Sequence, residues 1–235
     1  MGTMEALAIS VAAGIWAGVV GWWFRASPAV RACVEDARRC APVYDSAPAA
    51  LLPERRPAGW PVIIGATGAI VAATIAVGGR GPLWMLPFLV AWASGLVAMA
   101  LVDRETLVLP SKLIYPYALV ISYLLTTEAV ADNKWRSLER GSVCALVALA
   151  FFGFWAFAQP NSLGLGDARL ASLVALGVGS ISAAGCAAAL TSAPAMAAGV
   201  SIFRWRYRRT DRATPVALAP YMAIAGIAVV VASAI

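Results

Sequence analysis

The chain has 235 residues, of which 61% are hydrophobic and only 13% charged, with a mean hydropathy of +0.79 and a net charge of +6. That is about half the charged fraction of an ordinary soluble domain, so composition points to a lipid-embedded protein. There is no histidine, which excludes triads, general bases and metal sites built on imidazole. The basic residues gather at the ends of apolar runs, where membrane orientation accounts for them and nucleic-acid binding does not.

Residues 5–24 form the first apolar run, followed by Arg25. No basic segment precedes the run, so a retained helix is expected in place of a cleaved signal peptide. Residues 25–60 are the one long polar segment, with six arginines and prolines at 28, 42, 48, 53 and 57; a loop with one short helix around 28–40 is predicted. Cys33 and Cys40 lie in this loop with a wider gap than zinc knuckles use, while Cys144 and Cys186 lie inside apolar runs. All four read as structural, and neither a metal nor a cofactor is expected.

Seven further apolar runs follow, at 61–78, 83–102, 113–127, 139–158, 168–184, 186–203 and 216–235. A hydrocarbon core of about 30 Å takes about 20 helical residues. The prediction is therefore an all-α integral membrane protein, a single domain over 1–235, built as a polytopic bundle of about eight transmembrane helices. The stretch 168–203 is read as two short spans turning near Ala184-Gly185; without that turn the count is seven. Tryptophans 22, 23, 60, 84, 135 and 205 sit at run ends as interfacial anchors.

With eight spans and the N-terminus outside, the outward segments keep only Arg80, Lys134, Arg136 and Arg140, and the other fourteen Lys and Arg face inward. The positive-inside rule selects this orientation. Asp103 and Asp167 then fall on the same, cytoplasmic side of a multi-pass protein of the plasma (inner) membrane.

Those two carboxylates are the candidate chemistry. Each alone has a plain reading: Asp103 as a residue leaving the membrane after the 83–102 run, Asp167 as the N-cap of a helix starting at Ala168. Together, on segments far apart in the chain, they form a potential pair. Gly164 and Gly166 just ahead of Asp167 fit a backbone with unusual dihedrals or one that a substrate strand approaches closely, against the alternative of a plain turn. Two neighbouring carboxylates cannot both ionise easily, so one holds a proton while the other stays charged. The charged member can activate water and its partner can protonate a peptide carbonyl.

At this point the sequence resembles a known family. Gly164-Leu-Gly-Asp167-Ala-Arg-Leu170 looks like the GxGDxK motif of the type IV prepilin peptidases, the GxGD membrane aspartic proteases. Asp103, with Leu109-Pro110 six and seven positions later, is similar to that family's first-aspartate motif. Thr214-Pro-Val-Ala-Leu-Ala-Pro-Tyr-Met-Ala-Ile-Ala-Gly226 is similar to its closing helix. The resemblance implies catalytic Asp103 and Asp167, with Gly164, Gly166, Arg169 and Pro110 as motif residues near the substrate. It implies removal of a short basic leader from prepilin-like membrane proteins at the cytoplasmic face. Arg169 departs from the family's lysine, exchanging a point charge for a planar guanidinium. The first loop lacks the family's two CxxC pairs, so the resemblance implies a peptidase without the methyltransferase activity.

Other readings stay open on the residues themselves. Arg204-Trp-Arg-Tyr-Arg-Arg209 reads as an anchor against anionic lipid. Ser111 beside Lys112 would be half of a Ser-Lys hydrolase only if adjacent side chains faced each other, which helical spacing disfavours. Glu105 reads as solvated loop. The small residues of 168–200 allow close helix packing or border a substrate entrance. A transporter with interfacial aspartates predicts flux and no proteolysis, and a non-cleaving prepilin-binding relative predicts binding alone.

Overall fold

The computed structural model describes residues 60–78, 85–107, 109–158, 163–208 and 217–234, together with residue 32 and helical residues at 11, 13–15, 17–19 and 22. Most of the first run, nearly all of the 25–60 loop with Cys33 and Cys40, Trp84, Asn161 and residues 214–216 lie outside the described residues.

Every described element is helical: α1 Trp60–Gly78, α2 Leu86–Thr106, α3 Ser111–Ala131, α4 Trp135–Ala158, α5 Leu165–Ile181, α6 Ala183–Arg208 and α7 Ala219–Ala234. They fall on the expected runs, with ends displaced where polar residues prolong a helix past its apolar stretch. The break within 168–203 is present but falls earlier, at Ser182, whose extended backbone (φ −151°, ψ 124°) separates α5 from α6. The cause is local capping. Ser182 Oγ accepts the Gly185 N–H at 3.1 Å, satisfying one orphan donor of the new helix. On the other side of the break, Arg140 donates to the last carbonyls of α5, through Nε to Gly179 O at 2.8 Å and through Nη2 to Ser180 O. A cation at a helix C-terminus also suits the macrodipole.

Among the described residues, four helices are long and apolar enough to cross a membrane: α2, α3, α4 and α6, over Leu86–Arg104, Ser111–Ala131, Trp135–Ala158 and Ala183–Tyr207. The last three turn much of their apolar surface outward. Leu119, Tyr123, Phe154 and Phe157 are each 70% or more exposed, an arrangement that water would penalise and lipid would not.

α2 and α5 are different, and they carry the two aspartates. α2 buries Phe88, Leu89, Trp92, Leu96 and Met99 almost completely, and α5 is buried on nearly all sides from Leu173 to Ser180. A helix apolar all round belongs in an interior. The small residues of α5 make that interior possible, because they admit neighbours to near-backbone distance. A Cβ on Gly179 would lie 2.6 Å from Cys144 Cβ, and one on Gly141 of α4 would lie 2.9 Å from Leu176 O. In α5, then, the small residues serve helix packing.

Candidate active site

Asp103 sits in the last full turn of α2, not after the helix end, and is only 4% exposed. Asp103 is near the end of the candidate span Leu86–Arg104, and its side chain is packed inside the protein and not turned to solvent. α2 ends when Leu107 turns left-handed (φ 54°) and its N–H bonds Asp103 O at 2.7 Å. That conformation costs a non-glycine residue about 1–2 kcal/mol, and Leu109, just beyond it, is buried in the hydrophobic core. Pro110 (φ −69°, ψ 127°) is the N-cap of α3, and its carbonyl accepts the Leu113 and Ile114 N–H groups. The Asp-to-Pro spacing thus holds one helical turn, one left-handed cap and the start of the next helix.

Asp167 is not an N-cap either. α5 begins at Leu165 with Gly164 as N-cap, which puts Asp167 at the third helical position, where its Oδ2 accepts the Gly164 N–H at 3.2 Å. This is the back-reaching half of a capping box. Burial pushes the Asp167 carboxyl above its usual range, and the Gly164 hydrogen bond opposes that rise.

The tertiary fold brings the two acids to one end of the bundle, close enough for the Asp167 charge to act on Asp103. A third element completes the site. Ala219, first residue of α7, donates its N–H to Asp103 Oδ2 at 3.1 Å. Because Pro220 follows and has no N–H, Ala219 presents the leading donor of that helix, and the positive end of the helix faces the carboxylate. The Ala219 contact went unread in the sequence, although Pro220 marks a helix start.

The remaining motif residues tie the two acid-bearing segments together. Gly166 is pressed against Leu109: a Cβ there would lie 2.9 Å from Leu109 Cβ and 3.2 Å from Leu109 O. Gly164 is different, since its φ of −81° suits any residue and a Cβ would meet nothing closer than Asp167 Oδ2 at 3.4 Å. No unusual dihedral explains it. Arg169 donates to Ser111 Oγ and lies over the Tyr115 ring, 5.2 Å from its centroid, so its guanidinium bridges α5 to the first turns of α3. A planar cation both bonds and stacks there, which an ammonium does less well. Ser111 is thereby engaged by Arg169. Glu105 has its backbone in α2, and its side chain lies outside the described residues.

The two glycines should respond differently to the same substitution. Gly166→Ala meets backbone that cannot swing aside, and a loss of about 1–3 kcal/mol is expected in unfolding experiments, as for other overpacked sites. Gly164→Ala should be within about 0.5 kcal/mol of wild type, the poorer N-cap being offset by reduced unfolded-chain entropy. Equal losses at the two positions would remove the packing explanation.

Among the described residues, no group of three or more Cys, Asp or Glu is arranged to hold a metal ion. The site offers instead two partly or fully buried carboxyl groups, each accepting one backbone N–H, at the mouth of a helical bundle. Searches against family models, curated proteins and solved structures returned no match to this chain.

Proposed function

We propose that this protein is a membrane aspartic endopeptidase that removes the short basic leader of prepilin-like precursors at the cytoplasmic face of the plasma membrane. In this reading eight helices span the bilayer with the N-terminus outside, and Asp103 and Asp167 work as one unit. The observation that carries it is that buried Asp103 of α2 and half-buried Asp167 of α5 approach one another closely enough for the Asp167 charge to act on Asp103. The resemblance of Gly164 to Leu170 and of Asp103 to Pro110 to the prepilin peptidase motifs supplies the substrate class.

The chemistry follows from the shared proton. The charged carboxylate takes a proton from a bound water as its oxygen attacks the scissile carbonyl carbon, while the protonated partner donates to the carbonyl oxygen. On collapse of the gem-diol intermediate the C–N bond breaks, the carboxyl that took the water proton passes it to the leaving amine, and a hydroxyl of the gem-diol gives its proton to the other carboxylate, which restores the singly protonated pair. Helix packing through Gly166 and the Arg169 bridge would fix the carboxylates at the distance this requires.

The test is co-expression with a prepilin and a gel assay for leader removal. Shortening of the precursor is expected; an intact precursor in membranes that contain the folded protein would overturn the reading. Such a pair titrates as a unit, so cleavage should pass through a maximum. It should fall on the acid side as the charged member is protonated, and on the alkaline side as the shared proton is lost. With Asp167 raised by burial, the alkaline limb lies above the ordinary aspartate value of about 4. A rate that does not vary between about pH 4 and about pH 9 would count against a shared proton.

A further inference from the structure

A groove of about 480 Å³ runs along the outside of α1, α2 and α7. α1 contributes Ile63 and Ile70, α2 contributes Val97 and Arg104, and α7 contributes Pro220 and Val231. These positions recur at helical spacing on each element, so the groove is one continuous furrow between three helices. Its walls are apolar apart from Thr67, whose hydroxyl donates to Ile63 O of its own helix, and exposed Arg104, which closes one end beside the carboxylate site.

We propose that this furrow is a binding site for one anionic phospholipid, with an acyl chain along the helices and the headgroup phosphate on Arg104. Three observations favour this occupant. From Pro220 to Val231 the groove follows α7 for about 16 Å at 1.5 Å per residue, which is the depth of one leaflet in a core of about 30 Å. A spanning helix would need the whole thickness. The volume is in keeping, since about 480 Å³ is room for a flexible hydrocarbon chain. The charge also agrees, since Arg104 is the last residue of the apolar span Leu86–Arg104, at headgroup level, where a guanidinium pairs with phosphate through two parallel bonds. The open side of the groove is flanked by Ile63 and Ile224, 46% and 58% exposed, which gives a lipid chain lateral entry.

The inference does not depend on the proposed peptidase activity, and its test reads lipid alone. The full-length protein is purified in micelles holding equal amounts of phosphatidylglycerol and phosphatidylcholine, and retained lipid is counted by native mass spectrometry. One phosphatidylglycerol should be kept in preference to phosphatidylcholine by about fivefold, the worth of one basic residue at an anionic surface. Arg104→Gln should bring the two lipids to parity. Ala228→Phe, which puts a ring into the groove from an exposed position of α7, should reduce retention of both. Equal retention by the wild type, a preference that survives Arg104→Gln, or full retention by Ala228→Phe would each overturn the proposal. The Phe variant keeps it testable if the Gln variant does not fold.

Discussion

Asn in place of Asp103, or of Asp167, should stop leader removal, lowering the cleavage rate by at least about a thousandfold, while the protein stays folded in the membrane. General acid–base groups contribute about 10²–10⁴-fold each, and here either substitution removes a member of a pair that acts as one. The structure gives a reason to expect intact folding. Asn retains an acceptor oxygen for the Ala219 N–H at position 103 and for the Gly164 N–H at position 167. It also replaces a carboxylate withdrawn from water, whose charged form is costly to bury, with a neutral amide. Thermal stability equal to or above that of the wild type is therefore expected for both variants. Gel analysis of a co-expressed prepilin, alongside thermal unfolding of each variant, separates the two effects. Processing by a well-folded Asn variant would show that the carboxylates are not the chemistry, and stable variants that leave the precursor uncut would support it.

The largest effect on stability should come from Gly177→Ala. A Cβ at that position would sit 2.2 Å from Trp92 Cε2 and 2.3 Å from Nε1, contacts that no real side chain makes. The indole has nowhere to retreat. Trp92 is fully buried, its Nε1–H donates to Leu173 O at 2.8 Å, and a Cβ at Gly226 of α7 would already be 3.3 Å from its ring. The Tyr117 hydroxyl donates to Trp92 O, and the Tyr117 ring in turn covers Gly95, where a Cβ would lie 2.1 Å from Cε2. Displacing the ring would combine an overpacking cost of about 1–3 kcal/mol with about 1–3 kcal/mol for an indole N–H left unpaired. A total loss of about 3 kcal/mol or more is expected in unfolding experiments. Trp92→Leu removes both the ring and its hydrogen bond, so the double variant with Gly177→Ala should lose less than the sum of the two singles. Strict additivity would mean that the two residues do not share one contact, since coupled neighbours depart from it.

Much of this protein is legible from the order of its residues. The all-helical class and the positions of the helices from 60 onward follow from long apolar runs, four of which, among the described residues, form helices long and apolar enough to cross a membrane; a bilayer core takes about 20 helical residues per crossing whatever the fold. The lack of histidine by itself removes imidazole chemistry. Asp103 and Asp167 could be singled out because charge is scarce and each stands beside an apolar run with distinctive neighbours. Helix ends were less legible. α2 carries Asp103 inside its last turn and α5 starts at Leu165, because capping by Leu107 and Gly164 fixed the termini where hydropathy is silent. The break after Ile181 was displaced for the same reason: the Ser182 hydroxyl found the Gly185 N–H.

Only the tertiary structure could decide what surrounds the two acids. Nothing in the spacing of residues 103 and 219 indicates that the first N–H of the closing helix would meet the earlier aspartate. Nor does a glycine in a motif say which backbone it admits, and here Gly166 admits Leu109 while Gly164 admits nothing that needs it. Periodicity reports whether a residue faces oil or water, since that depends on its own chemistry. Partners across helices depend on how several surfaces interlock at once, and that is settled by side-chain shape, as it is where Trp92 fills the space left by Gly177.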